Sequence, residues 1–431
     1  MALRQLLRAR GSGVRIGRNA SLFLWTVFLS NVGVSGIFLL LYNLYLVALG
    51  YQEDFIGLLS LVQMGAIAVG AIPTGALADR VGPRPVLIVG TLVIAVGALG
   101  MSLVASPVAL ALLNVVTGIG FAMRVVPYTP FLAVNTSPAQ RTLVFSANSA
   151  AISIAGTTGS LIGGQLPALF STVFGLGGAD SIMAFRISLA FGALVGLLAA
   201  IPISRTTDKS EGPPPEVATG GTAPPLDRSP AESRRLTTLL VGATLLFAFS
   251  GALVGPFVNV YFSRVLGLSA SSISFILAAS SLLAAVATVA ASRLADRIGT
   301  VRTMVLVRAA GAPMLILLAL NPGAWLGVLA VLLRNVTDMA GWPLDGAFLA
   351  EVVHPRRQAR TVAYRSVAWN ATWGIASLGA GQAIVRVGYG PLFAVAGSAL
   401  LAAVLFYHLA FRHYNRPRGT AEQRDHNTKL G

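Results

Sequence analysis

The 431-residue chain contains no cysteine, two lysines (Lys209 and Lys429) and only 15 acidic residues. The missing cysteine excludes disulfides, thiolate metal sites and cysteine nucleophiles. The four histidines, His354, His408, His413 and His426, include no pair at metal-ligand spacing on a helix, so no metal is expected. No G-x-x-x-x-G-K-[ST] loop is present to cradle a nucleotide, which removes ATP-driven work by this chain alone. Neither a nucleophile beside a base nor a carboxylate dyad at a common depth is present, so an enzyme is not expected. Residues 1–20 are basic and lack the short apolar core and small-residue cleavage site of a secretory signal. The deepest shortage is charge itself. Charged residues make up 11% of the chain, less than half of the roughly 25% usual in soluble domains. That is too few to clothe a water-facing surface.

What takes the place of charge is apolar. Hydrophobic residues are 55% of the chain and the mean hydropathy is +0.76. A helix that crosses a bilayer needs about 20 mainly apolar residues. Such runs fall at 21–49, 55–78, 86–105, 107–134, 142–170 and 182–203, and again at 237–264, 270–293, 303–321, 323–351, 362–386 and 390–411. The expected fold is an all-α membrane protein of twelve transmembrane helices in two six-helix bundles. Its parts are a basic N-terminus (1–20), an N-terminal bundle (21–203), a linker (204–236), a C-terminal bundle (237–412) and a tail (413–431). The linker, with "EGPPPEVATGGTAPPLDRSPAESRR", is rich in Pro, Gly, Ser and charge and has no apolar period.

A net charge of +16 invites a nucleic-acid reading. The arginines argue against it, because they sit in short clusters between apolar runs and form no single basic face. Their abundance over lysine reads as genomic base composition. Their placement sets topology, since basic loops stay inside. With the N-terminus inside, that side holds Arg4, Arg8, Arg10, Arg15, Arg18, Arg80, Arg84, Arg141, Arg293, Arg297, Arg302, Arg356, Arg357, Arg360 and Arg365, besides the linker and tail. The other side keeps only Arg186, Arg264 and Arg386. Both termini are therefore expected in the cytoplasm and the chain in the inner (plasma) membrane.

The second set of helices repeats the first at a shift of about 217 residues. "LYNLYLVALG" at Leu41 matches "FVNVYFSRVLG" at Phe257, which puts Asn43 on Asn259 and Tyr45 on Tyr261. "LADRVG" (77–82) matches "LADRIG" (294–299), and Gln165 falls on Gln382. Two halves in parallel orientation around a path is a transporter architecture.

"GALADRVGPRP", Gly75 to Pro85, resembles the signature loop of the major facilitator superfamily, G-x-L-A-D-R-x-G-R-[KR]-x. It matches at Gly75, Leu77, Ala78, Asp79, Arg80, Gly82 and Arg84 and departs at Pro83 and Pro85. With the degenerate copy at 292–302, the resemblance extends over residues 20–412. It implies two pseudo-symmetric bundles, a small-molecule substrate and a gate held by Asp79, Arg80 and Arg84, with Asp296 and Arg297 as counterparts. Physically, the same charges also serve as a topology anchor, and both readings stand.

Ionisable groups inside a spanning segment are costly and face a cavity or a partner. Arg124 lies in the fourth helix, Arg308 in the ninth, and Arg334, Asp338 and Asp345 in the tenth. The spacing i, i+4, i+11 puts the last three on one face, where Arg308 can pair with an acid. Asp338 is the expected proton-coupling residue; an internal salt bridge is the alternative. The arginine–acid arrangement is similar to that of proton-coupled sugar symporters of the superfamily. Arg124 has no acid near it in its half, and suits an anionic substrate, a partner such as Asp345, or a structural contact. Pro127, Pro130 and Pro343 are expected to kink helices along the path. Asn31, Asn43, Gln63, Asn259, Tyr261, Trp369, Asn370 and Trp373 are expected to line the cavity, with Trp369 and Trp373 as an aromatic wall.

"AGTTGSLIGGQLP" resembles the antiporter motif of the fifth helix, with Ser160 in place of its proline. The leading expectation is proton-coupled efflux of a drug or amphiphile by antiport. Proton-coupled uptake of a metabolite or anion, or a transporter-like sensor that moves nothing, stand as alternatives. No cofactor is expected and the proton gradient is the energy source; the partners are a small molecule and the lipid bilayer, with a monomeric chain and no nucleic acid.

Overall fold

The computed structural model describes residues 17–136, 138–207 and 230–415. Most of the basic N-terminus, the Pro-rich linker and the tail beyond Asn415 lie outside the described residues. Twelve helices account for the rest: α1 (Arg18–Ala48), α2 (Glu53–Val81), α3 (Pro83–Leu103), α4 (Pro107–Leu132), α5 (Pro138–Phe174), α6 (Ile182–Ser204), α7 (Glu232–Arg264), α8 (Ala270–Ile298), α9 (Thr300–Ala319), α10 (Ala324–Val352), α11 (Pro355–Val387) and α12 (Tyr389–Phe411). No strand occurs among the described residues. Nine of these helices are long and apolar enough to cross a bilayer by length and composition. The other three are α5, α10 and α11, of which α10 carries Asp338 and Asp345 and α11 carries Arg365. Apolar residues that a soluble protein would bury, such as Val69, Ile72, Leu282 and Val286, point outward. That is the surface a hydrocarbon solvent selects.

The chain forms two compact units: Met1–Ala218 with Phe262–Ala278, and Thr219–Tyr261 with Ala279–Gly431. In the first unit the α7–α8 connection is tied to the start of α2, where Arg264 Nη1 meets Glu53 Oε2 at 2.9 Å and Nη2 donates to the Tyr51 carbonyl at 3.0 Å. Ser271 donates to Gln165 Oε1 at 2.8 Å.

Helix contacts in the first unit depend on glycine. Without a hydrophobic drive between helices in lipid, close backbone approach supplies the packing energy. In the middle of α1, Asn31–Phe38 winds as a π-helix, and this stretch lies against α5 and α6. A Cβ on Gly36 would stand 2.5 Å from Gly159 Cα, and one on Gly159 would strike the Val32 carbonyl. Gly33 meets Gly192 and Gly196 in the same way. The repeat also shows in the turns. Gly82 and Gly299 both take positive φ, +86° and +91°, a region that L side chains disfavour. Each starts the next helix, and Pro83, where the signature loop departs from its pattern, occupies the first helical turn that suits proline.

Of the three prolines expected to kink helices, Pro127 interrupts α4, leaving Pro107–Val125 and Tyr128–Val134 on either side. Pro130 sits in the first turn of the second piece. α10 runs helical through Pro343, without an interruption of the kind at Pro127. A missed interruption is at Gly255–Phe257, a 3₁₀ turn in α7 around Pro256.

Two neighbouring glycines of α5 separate packing from propensity. Gly159→Ala should lower the melting temperature in detergent, at a cost of about 1–3 kcal/mol for overpacking. Gly156→Ala, where an added Cβ meets nothing, should leave it unchanged or raise it slightly, because alanine favours helix. Equal behaviour of the two variants would contradict the packing account.

Candidate functional site

The second unit concentrates its intramembrane charge on α9, α10 and α11. α10 supplies two carboxylates, Asp338 and Asp345, seven residues and nearly two whole turns apart, so they share a face. Arg308 of α9 donates through Nη1 to Asp338 Oδ1 at 2.8 Å. Arg334, one turn before Asp338, reaches its Oδ2 at 3.3 Å. The close approach of α9 and α10 depends on Gly341, where a Cβ would lie 2.7 Å from Arg308 Nε. The Arg308 guanidinium also rests against two aromatic rings, 4.4 Å from the Phe247 ring centre and 5.8 Å from that of Trp342. Such rings attract a desolvated cation. Asp338 thus has two guanidinium partners.

Asp345 has another. Arg365 of α11 pairs with it through Nη2 and donates through Nε to Thr244 Oγ1 of α7 at 2.7 Å. Arg365 was counted with the arginines of the cytoplasmic side, at the edge of the expected run 362–386; the structure places it in the site instead. α11 begins at Pro355, so Arg365 lies ten residues inside it with its guanidinium turned to the acid. The sequence offered one signal, the reach of helical pattern back from Trp369 through Arg365 to Thr361.

Arg308, Asp345 and Arg365 open on a cavity of about 290 Å³, walled by Phe247, Trp342 and Trp369. Of the two tryptophans expected as an aromatic wall, Trp369 lines this cavity and Trp373 is not in the lining; Trp369 stacks on Trp373 at 5.4 Å between ring centres, and Trp342 meets Trp369 edge-on at 4.8 Å. Trp373 itself fills the space left by Gly251 and Gly255. Arg334 and Asp338 lie beside this cavity rather than in its lining.

The first unit has a second cavity, of about 300 Å³, lined among others by Asn31, Arg124, Tyr128 and Asn148. Arg124 donates to the Ser30 hydroxyl and rests 5.0 Å from the Phe121 ring centre. It forms no ion pair among the described residues, and Asp345, one of its expected partners, is held by Arg365 instead.

The remaining expected lining residues are dispersed. Tyr261 is core, packed on Tyr389 and Phe393 at 5.3 and 5.1 Å, which corrects its assignment to the cavity. Its counterpart Tyr45 is fully buried and joins Arg186 Nε (3.2 Å) to the Val104 carbonyl (2.9 Å). Asn370 donates to the Ser366 carbonyl at 2.8 Å. Asn43, Gln63 and Asn259 are half-buried and line neither cavity.

In the signature loop, Gly75 lies in the last turns of α2, and Asp79 and Arg80 stand exposed at its end with no hydrogen bond or ion pair among the described residues. Arg84 is engaged: Nε donates to Thr206 Oγ1 at 3.1 Å and Nη2 to the Ser204 carbonyl at 2.9 Å, pinning the end of α6 to the start of α3. In the second copy Asp296 and Arg297 are exposed. There Asn415 ties the end of α12 to the α8–α9 turn, through the Ile298 carbonyl (2.8 Å) and the Arg302 amide (3.1 Å).

The Major Facilitator Superfamily family model matches residues 23–243 and again 240–430. Among solved structures, a bacterial homolog of the human lysosomal transporter Spinster, in an inward-facing and occupied conformation, is similar at a TM-score of 0.69 and 17% identity, covering 93% of this chain and 97% of that one. The same homolog in its unoccupied inward-facing form gives 0.64 at 18% identity, over 92% and 96% of the two chains. The nucleoside transporter NupG, as a point mutant, gives 0.68 at 14% identity over 91% and 100%. No curated protein matches significantly in sequence. At these identities the structures speak for the fold, and the double family match speaks for descent. The chain, a multi-pass membrane protein of twelve helices, belongs to the major facilitator superfamily of secondary transporters of small molecules.

Proposed function

We propose that the chain carries a small amphiphile with a negatively charged group together with protons, by alternating access, in the inner (plasma) membrane with both termini in the cytoplasm. The observation that carries this reading is the Arg365–Asp345 pair on an aromatic-walled cavity. A ligand oxyanion that takes the Arg365 guanidinium leaves Asp345 with an uncompensated charge in a low-dielectric wall, and a proton neutralises it. Ligand and proton then bind together, which is the sign required for symport. Asp338 is the poorer candidate for this exchange, because two guanidiniums hold it and it lies outside the cavity lining. It braces α9 against α10.

The antiport of a cationic drug has less support. A cation calls for an acid with no partner, and among the described residues the only acid lining either cavity is Asp345, already paired. The aromatic walls favour an amphiphilic body in either direction of transport. The exposed Asp79 and Arg80, with Asp296 and Arg297, are assigned to the gate in this reading.

The test uses proteoliposomes with an imposed pH gradient and radiolabelled probes of both charges, octanesulfonate and tetraphenylphosphonium. Gradient-driven flux of the anion is expected; flux of neither would favour a sensor, and flux of the cation alone would overturn the sign. Asp345→Asn should abolish gradient-driven accumulation and keep counterflow, whereas loss of both together would remove Asp345 from coupling. Asp338→Asn should act first on stability. It leaves Arg308 and Arg334 without their carboxylate, a loss of about 3–5 kcal/mol for a broken buried pair, read as a lower melting temperature.

A further inference from the structure

The charge balance inside the first unit is uneven in a way the coupling site does not use. Arg124 is the charged residue in the lining of its cavity, and no acid accompanies it there among the described residues. The acids of α1–α6 are Glu53, Asp54 and Asp79, at the two ends of α2. Arg124 lies in the last turn of Pro107–Val125, and an arginine within a spanning segment is costly. Such a charge persists where a cavity or ligand answers it.

The neighbours of Arg124 are arranged as donors. Ser30 accepts from Arg124 Nη1, so its own hydroxyl proton is left to point elsewhere. Tyr128 accepts from Asn148 Nδ2, which leaves the phenol proton free in the same manner. Both hydroxyls and the guanidinium line one space. Three donor groups line one cavity whose lining holds no carboxylate, a composition suited to an oxyanion, and charge-assisted bonds of this kind are the strong ones. Apolar side chains complete the wall, Phe23, Val27, Leu87 and Ile152. The volume, about 300 Å³, suits a small ligand. Asn148 Oδ1 is buried without a partner and offers an acceptor to a hydroxyl on that ligand.

We infer that this cavity is a binding site for the anionic head group of a small amphiphile, held by Arg124, Ser30 and Tyr128, with the apolar tail along Phe23, Val27 and Ile152. The site is separate from the Arg365–Asp345 pair and stands on its own residues.

Binding is measured at equilibrium on the purified full chain in detergent, with no pH gradient, by thermal shift and calorimetry. The probes share one tail: octanesulfonate, octyl phosphate, octanol and octyltrimethylammonium. The two anions should bind saturably and stabilise the protein, and the alcohol and the cation should bind at least about tenfold more weakly. Arg124→Gln should weaken the anions by roughly tenfold or more while leaving octanol unchanged. Arg124→Lys, which keeps the charge, should restore part of the affinity, and Ser30→Ala should reduce it with Arg124 in place. Asp345→Asn and Arg365→Gln should retain the Arg124-dependent component, which separates this inference from the coupling mechanism. Equal binding of octanol and octanesulfonate by the unaltered chain, or unchanged anion affinity in Arg124→Gln, would overturn it.

Discussion

A guanidinium in hydrocarbon must find something to answer its charge, and much of the interior of this protein follows from that constraint. Arginine keeps its proton at any accessible pH, so it cannot escape by neutralising. Each intramembrane arginine here has a defined solution. Arg308 lies on Asp338 and against two aromatic rings, Arg334 shares the same acid from one turn away, and Arg365 takes Asp345. Arg124 settles on the Ser30 hydroxyl and the Phe121 ring; at a helix end, Arg186 meets the Tyr45 hydroxyl. Two of these pairs join helices, Arg308–Asp338 linking α9 to α10 and Arg365–Asp345 linking α11 to α10.

The pairing also explains why packing differs between the units. Where charge is scarce, in the first unit, α1, α5 and α6 meet through glycine, and the π-helical stretch of α1 lies at that contact. Where charge is dense, in the second, glycine makes room for large side chains instead. Gly341 admits the Arg308 side chain, and Gly251 with Gly255 admits Trp373. Sequence duplication has therefore preserved the helix plan and the Gly82 and Gly299 turns while the interiors diverged. Even the ties at the helix ends differ in chemistry, Arg84 on α6 in one half and Asn415 on the α8–α9 turn in the other.

In the proposed reading, function follows from which pairs remain open. A carboxylate with two guanidiniums, as at Asp338, serves as a brace, whereas Asp345, with a single partner and a cavity at its side, has an exchangeable one. Three arginines and one acid line the two cavities, a balance that in the proposed reading favours negative ligands. The aromatic side chains around them supply the apolar contact that an amphiphile needs.

The sequence by itself determined the membrane class, the helix count, the internal repeat and the family, because each rests on long apolar runs or a local motif. It also placed Arg308 with an acid of α10, since i, i+4 spacing and the scarcity of partners left few choices. Only the tertiary structure decided the rest. Arg365 was counted with the cytoplasmic-side arginines at the edge of the 362–386 run until its pairing with Asp345 placed it in the site, and Tyr261 looked like a lining residue until its ring was seen against Tyr389 and Phe393. Trp342 and Phe247 entered the site from helices whose rotation no linear pattern specifies. A helical period says which residues share a face. Which face meets which neighbour is set by close packing between helices far apart in the chain.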